Sequence, residues 1–109
     1  MYSIPAGASD THWDWNVNVP GNVVAMVGHV HKYGVSVEAT NESLGGQSLC
    51  KSTATPDAMT GEIMNMSTCS GTPLGVVQQG QTVRLHSTYD SPAPQNDVMG
   101  IMLGYVSSS

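Results

Sequence analysis

The chain has 109 residues, of which only 10% are charged, and its net charge is −5, with Lys32, Lys51 and Arg84 as the fixed cations. That balance argues against nucleic-acid binding through phosphates and against anionic membrane surfaces. No stretch reaches the ~18 apolar residues of a transmembrane helix, and the length suits a single domain over residues 1–109 with one core.

Residues 1–10 read as an irregular lead-in, because Pro5, Gly7 and Asp10 break regular structure. Thr11 to Val19 then alternates: Trp13, Trp15, Val17 and Val19 share one face, with His12, Asp14, Asn16 and Asn18 on the other. This is the pattern of a half-buried strand whose tryptophans fill the core. After the Pro20-Gly21-Asn22 turn, Val23 to Val27 is short and β-branched and leads into Gly28-His29-Val30-His31. On a strand His29 and His31 face together, a chelating pair for a borderline or soft metal, or else two surface histidines beside a turn.

Tyr33-Gly34 turns the chain, and Val35, Val37 and Ala39 form the inward face of the next strand. Short strands follow around Cys50 and over Glu62 to Ser70, where Met64 and Met66 face one way and Ile63 the other. That methionine pair is either a soft copper(I) pair or core filling, the second being the commoner use. Thr82 to Tyr89 places Val83, Leu85 and Tyr89 on one face and Arg84, His86 and Thr88 on the other. The last run, Val98 to Val106, is apolar on both faces and reads as a central strand. Capped helical spacing is nearly absent, so the expected fold is an all-β antiparallel sandwich.

The N-terminus carries no basic region and no apolar core of a leader. The chain is therefore cytosolic or the trimmed form of an exported protein, and the cysteines favour the second. Cys50 and Cys69 are either a disulfide, which would stabilise the fold by about 3 kcal/mol, or two buried thiols. No nucleophile elbow, phosphate-cradling loop or His-Glu-x-x-His occurs. Four histidines and seven methionines lean toward soft-metal chemistry. Spacing alone does not say which methionine would complete a site.

Gly28-His29-Val30-His31 with Gly34, then Ser67-Thr68-Cys69, Gly80-Gln81-Thr82-Val83, Tyr89, and Val98-Met99-Gly100-Ile101-Met102 with Tyr105 carry a family resemblance. Over about residues 20 to 106 the chain resembles the second copper-binding domain of the ascorbate-dependent type II copper monooxygenases, and it also looks like the plant stress-up-regulated nodulin-like proteins. The resemblance implies a jelly-roll-like sandwich, export from the cytosol, and one copper held by His29, His31 and Met99. An oxidising compartment in turn implies a Cys50–Cys69 disulfide. The chain departs from the monooxygenases in lacking their preceding domain with its second copper, and in having Gly100 where they have a cysteine. His86 has no counterpart there; it is either a fourth ligand or a surface residue, and His12 reads as an exposed strand histidine.

The expected function is copper binding at a mononuclear His/His/Met site, for storage, delivery or a single-site monooxygenase-like activity. One copper supplies one electron where hydroxylation needs two, so an external reductant such as ascorbate would supply the other. The alternative is a non-catalytic carbohydrate- or ligand-binding sandwich that stacks sugars on Trp13, Trp15 and Tyr33.

Overall fold

The computed structural model describes residues 2–98 and 100–107. It is an antiparallel β-sandwich, as the alternating segments predict. The strands are β1 (Tyr2–Ile4), β2 (Gly7–Asn16), β3 (Gly21–Val30), β4 (Gly34–Asn41), β5 (Gln47–Pro56), β6 (Ile63–Met66), β7 (Thr68–Val77), β8 (Thr82–Ser91), β9 (Gln95–Val98) and β10 (Gly100–Ser107). A single 3-10 turn, Glu42–Leu44, is the helical element among the described residues. One sheet has five strands in the order β2-β8-β4-β5-β6, the other three in the order β10-β3-β7, and β1 pairs with β9 as a ribbon.

The sheets meet through their alternate residues. On β8, Val83, Leu85 and Tyr89 are buried while Arg84, His86 and Thr88 are half-buried on the outward face, as the period of two requires. Val37 and Ala39 of β4 are fully buried, but Val35 is exposed. The pairing of β4 with β8 slips between Gly34 and Ser36, and this bulge turns Val35 out of the face it was expected to share. The interior has two apolar clusters. One gathers Val17, Val23, Met26, Leu49, Val83 and Leu85 with neighbours; the other gathers Ile4, Val30, Val37, Tyr89 and Val98.

Three further expectations change. The supposed lead-in is strand: β1 pairs with β9, and β2 begins at Gly7 and pairs with β8 along its whole length. Trp13 does not fill the core, being 46% exposed, because β2 is an edge strand of its sheet. Its indole Nε1–H donates to the Gly100 carbonyl at 3.3 Å, bridging the edges of the two sheets. The last strand is not central either: β10 is an edge, and Ile101, Leu103 and Tyr105 are exposed on its outer side. An apolar pattern on both faces reports composition, and strand order decides which face is covered.

The segment expected as one strand over Glu62 to Ser70 is two, in different sheets: β6 pairs with β5, and β7 with β3. The chain crosses over at Ser67, which is pinned to the five-stranded sheet. The Ser67 N–H donates to the Thr53 carbonyl at 2.9 Å. The Ser67 hydroxyl accepts from the Thr53 N–H at 2.8 Å, and the fully buried Ser52 hydroxyl donates to the Ser67 carbonyl at 2.6 Å. The crossing carries Cys69 into the opposite sheet from Cys50, and the two form a disulfide with Cα atoms 5.8 Å apart. It is an inter-sheet staple. Opening it restores the loop-closure entropy of the unfolded chain. Cys50→Ala with Cys69→Ala is expected to lower unfolding free energy by about 3 kcal/mol, measured by urea denaturation.

Candidate functional site

His29 and His31 lie where β3 ends. Val30 between them points into the core cluster with Val37 and Tyr89, so strand parity sends His29 outward, where it is exposed. His31 follows the last strand residue and is half-buried. The two rings come together as the sequence predicts, with centroids 5.5 Å apart and an interplanar angle of 79°.

The backbone here is held from several sides. The Gly34 N–H donates to the His31 carbonyl at 2.9 Å, closing a turn over Lys32 and Tyr33. Tyr33 occupies the left-handed region at φ 70°, which is costly for a residue with a Cβ. Tyr33 is kept there by bonds on both sides: its N–H donates to the Gly61 carbonyl at 3.1 Å, and its carbonyl accepts from the Asp90 N–H at 3.0 Å. The His31 N–H donates to the Tyr89 hydroxyl at 2.9 Å, and Tyr89 is only 1% exposed. A buried phenol thus fixes the amide of one histidine from beneath. Sequence reasoning assigned Tyr89 to the core and had no signal for its hydroxyl, which acts across 58 residues.

An open pocket of about 540 Å³ adjoins the pair, with His29 and His31 on one side and β6 on the other. Met64 and Met66 of β6 both line it, as does Glu62. Met66 also packs against the core cluster, whereas Met64 is 67% exposed and fills no core. Lys32 lies at the same rim, 4.0 Å from Glu62 and 5.2 Å from the Tyr33 ring centre. The ion pair is solvent-exposed on both sides and adds little stability.

Met99 lies outside the described residues. Its neighbour Gly100 pairs with Val30, and Ile101 pairs with His29, so β10 runs beside the histidine pair. Gly28 brings the sheets close just before the pair: a Cβ there would sit 3.0 Å from the Val37 Cβ and 3.1 Å from the Ser52 Cβ.

His86 is not brought to this pocket. It stands on the outward face of the five-stranded sheet, directly across from His12 on β2 and Glu38 on β4. The parity that buries Leu85 turns His86 away from the three-stranded sheet that carries His29. Its Nε2 lies 3.3 Å from the Thr40 hydroxyl and its Nδ1 3.9 Å from Asp10 Oδ2. Along the same face Arg84 bonds Asp14 at 2.8 Å and Glu42 at 3.4 Å. The Arg84 hydrogen bond holds the Asp14 carboxyl below the usual aspartate range, with the nearby positive charge adding to it. Among the described residues, no three His, Cys, Asp or Glu side chains stand together as a ready metal cage.

The aromatic residues of the sugar-stacking alternative are also apart. Trp13 and Trp15 line an apolar cleft of about 300 Å³ between β2 and β10, while Tyr33 belongs to a different pocket beside Pro56 and Asp57.

The family model described as stress up-regulated Nod 19 matches residues 8–109. The chain belongs to the stress up-regulated Nod 19 family. The match takes in both histidine pairs and both cysteines of this member of the family. No curated protein and no solved structure matches the chain. The disulfide fits an oxidising compartment, and among the described residues no helix is long and apolar enough to cross a membrane.

Tyr89→Phe keeps the buried ring and removes the acceptor for the His31 N–H. It is expected to cost about 1 kcal/mol and to speed hydrogen exchange at the His31 amide, read by NMR. On the outward face of the same strand, β8, Arg84→Met should return Asp14 to the ordinary aspartate range in a carboxyl NMR titration. Because the folded value is the lower one, the pair's stabilisation is present above the ordinary range. It is lost as pH falls through the folded value, and the variant should lack that acid loss.

Proposed function

We propose that this member of the stress up-regulated Nod 19 family is a copper-binding protein whose mononuclear site uses His29, His31 and Met99. The observation that carries the reading is the pairing of His29 and His31 in one pocket with thioethers on its wall. An ion about 2 Å from each ring nitrogen lies about 3 Å from each ring centre, so two rings on one ion have centres up to ~6 Å apart. The 5.5 Å separation falls inside that reach. Two imidazoles suit either oxidation state of copper, and a thioether favours copper(I). Methionines 64 and 66 line the same pocket, so its wall already presents the soft donor class that the reading requires.

Met99 enters through the resemblance to the type II copper monooxygenases, and the course of β10 beside the pair supports it. Bound copper supplies one-electron chemistry. The chain's own part is to hold two imidazoles at a fixed spacing: Tyr89 anchors the His31 backbone, and the strained turn at Tyr33 ends the strand behind it. The reading extends to export from the cytosol, and to redox or monooxygenase-like activity with a reductant such as ascorbate.

Copper titrations in both oxidation states test this. His29→Ala or His31→Ala should weaken copper(I) and copper(II) alike. Met99→Leu conserves volume, costs under about 1.5 kcal/mol of stability, and should lower copper(I) affinity roughly tenfold or more while sparing copper(II). Copper(I) binding that survives the loss of both His29 and His31 at parental affinity would refute the site.

A further inference from the structure

We infer a second, separate metal site on the outward face of the five-stranded sheet, formed by His12 and His86 with Asp10, for a borderline divalent cation such as zinc(II). His12 and His86 are directly opposed cross-strand partners on β2 and β8, with ring centroids 5.9 Å apart. Directly opposed side chains project from the same face. The separation lies within the ~6 Å that two imidazoles on one ion can span.

The hydrogen bonds around His86 decide which nitrogen is open. The Thr40 hydroxyl donates its only proton to Glu42 Oε2 at 2.7 Å. At His86 Nε2, 3.3 Å away, the same hydroxyl oxygen can therefore only accept. Neutral His86 thus carries its proton on Nε2 and leaves the Nδ1 lone pair free. That nitrogen faces Asp10 Oδ2 at 3.9 Å. Two donors each about 2.0–2.2 Å from one ion are at most about 4 Å apart, so an ion fits between them. Histidine ligands of metals characteristically donate their other ring N–H to an oxygen that is itself hydrogen-bonded. The chain from His86 through Thr40 to Glu42 and on to Arg84 has that form.

The carboxylate is available as well. Arg84 is committed to Asp14 and Glu42, and Glu38, opposite His86 in register, accepts from the Ser48 hydroxyl at 2.8 Å. Asp10 and His12 are both exposed, so their side chains can turn onto an ion without disturbing the core. Three donors do not stand closed beforehand; the ion draws Asp10 in. The donor set is nitrogen and oxygen with no sulfur, which suits zinc(II) or copper(II) and disfavours copper(I). This separates the site chemically from the histidine–methionine pocket.

Zinc(II) alone is the probe. A chain carrying His29→Ala and His31→Ala, which removes the other histidine pair, is titrated by calorimetry at neutral pH. One zinc per chain is expected. Adding His12→Ala or His86→Ala should weaken it at least tenfold, and adding Thr40→Val by about tenfold through loss of the acceptor for Nε2–H. Long-range proton–nitrogen NMR of the unsubstituted chain supplies a readout that does not depend on the variants folding. Zinc should shift His86 Nδ1 and a His12 nitrogen while His86 Nε2 keeps its proton. Unmoved His12 and His86 nitrogens at saturating zinc would overturn the proposal, as would zinc affinity indifferent to both substitutions.

Discussion

The crossing at Ser67 is the constraint on which the rest of the structure hangs. Three hydrogen bonds to Ser52 and Thr53 hold the chain as it leaves the five-stranded sheet for the other. Because it crosses there, β6 stays with the larger sheet and forms one wall of the histidine pocket, while β7 joins β3. The same step puts Cys50 and Cys69 on facing sheets, so that their disulfide closes the sandwich. Gly28 completes the approach, since only a residue without a Cβ lets β3 settle over Val37 and Ser52 unhindered. The histidine pair follows immediately in sequence and inherits this rigid base.

The copper site proposed at the end of β3 would rest on groups that do not themselves touch the ion. Tyr89 spends its hydroxyl on a backbone amide, and Tyr33 holds a left-handed conformation sustained by bonds to the loop at Gly61 and to Asp90 of β8. Local backbone strain of this kind persists where surrounding contacts over-determine it, and functional turns are where it gathers. The cost falls on the turn, and the benefit is a fixed direction for the strand end that presents both imidazoles.

Two histidine pairs project outward from different sheets and differ in the chemistry around them. His29 and His31 share a pocket with thioethers. His12 and His86 share a polar face with carboxylates, a threonine and an arginine. On the proposed readings the first selects for softness and the second for a borderline ion. The few fixed cations are spread between them: Lys32 at the rim of the first, and on the outer face of the second the already paired Arg84 and Lys51, which the register places opposite Glu38.

The sequence by itself determined the class of fold, the inward face of β8, and the pairing of His29 with His31, because each follows from a local period of two. It also pointed to the disulfide, through a resemblance. Only the tertiary structure decided which strands are edges. The alternation of Trp13 and the doubly apolar run through Ile101 and Leu103 both looked like core, and both proved to lie on edge strands. Pattern encodes the two faces of a strand but not the order of strands in a sheet. Likewise no local signal joins Met64 to His29, Tyr89 to His31, or His12 to His86. Those partners lie far apart in the chain and meet only because strand register and the crossing at Ser67 bring them together.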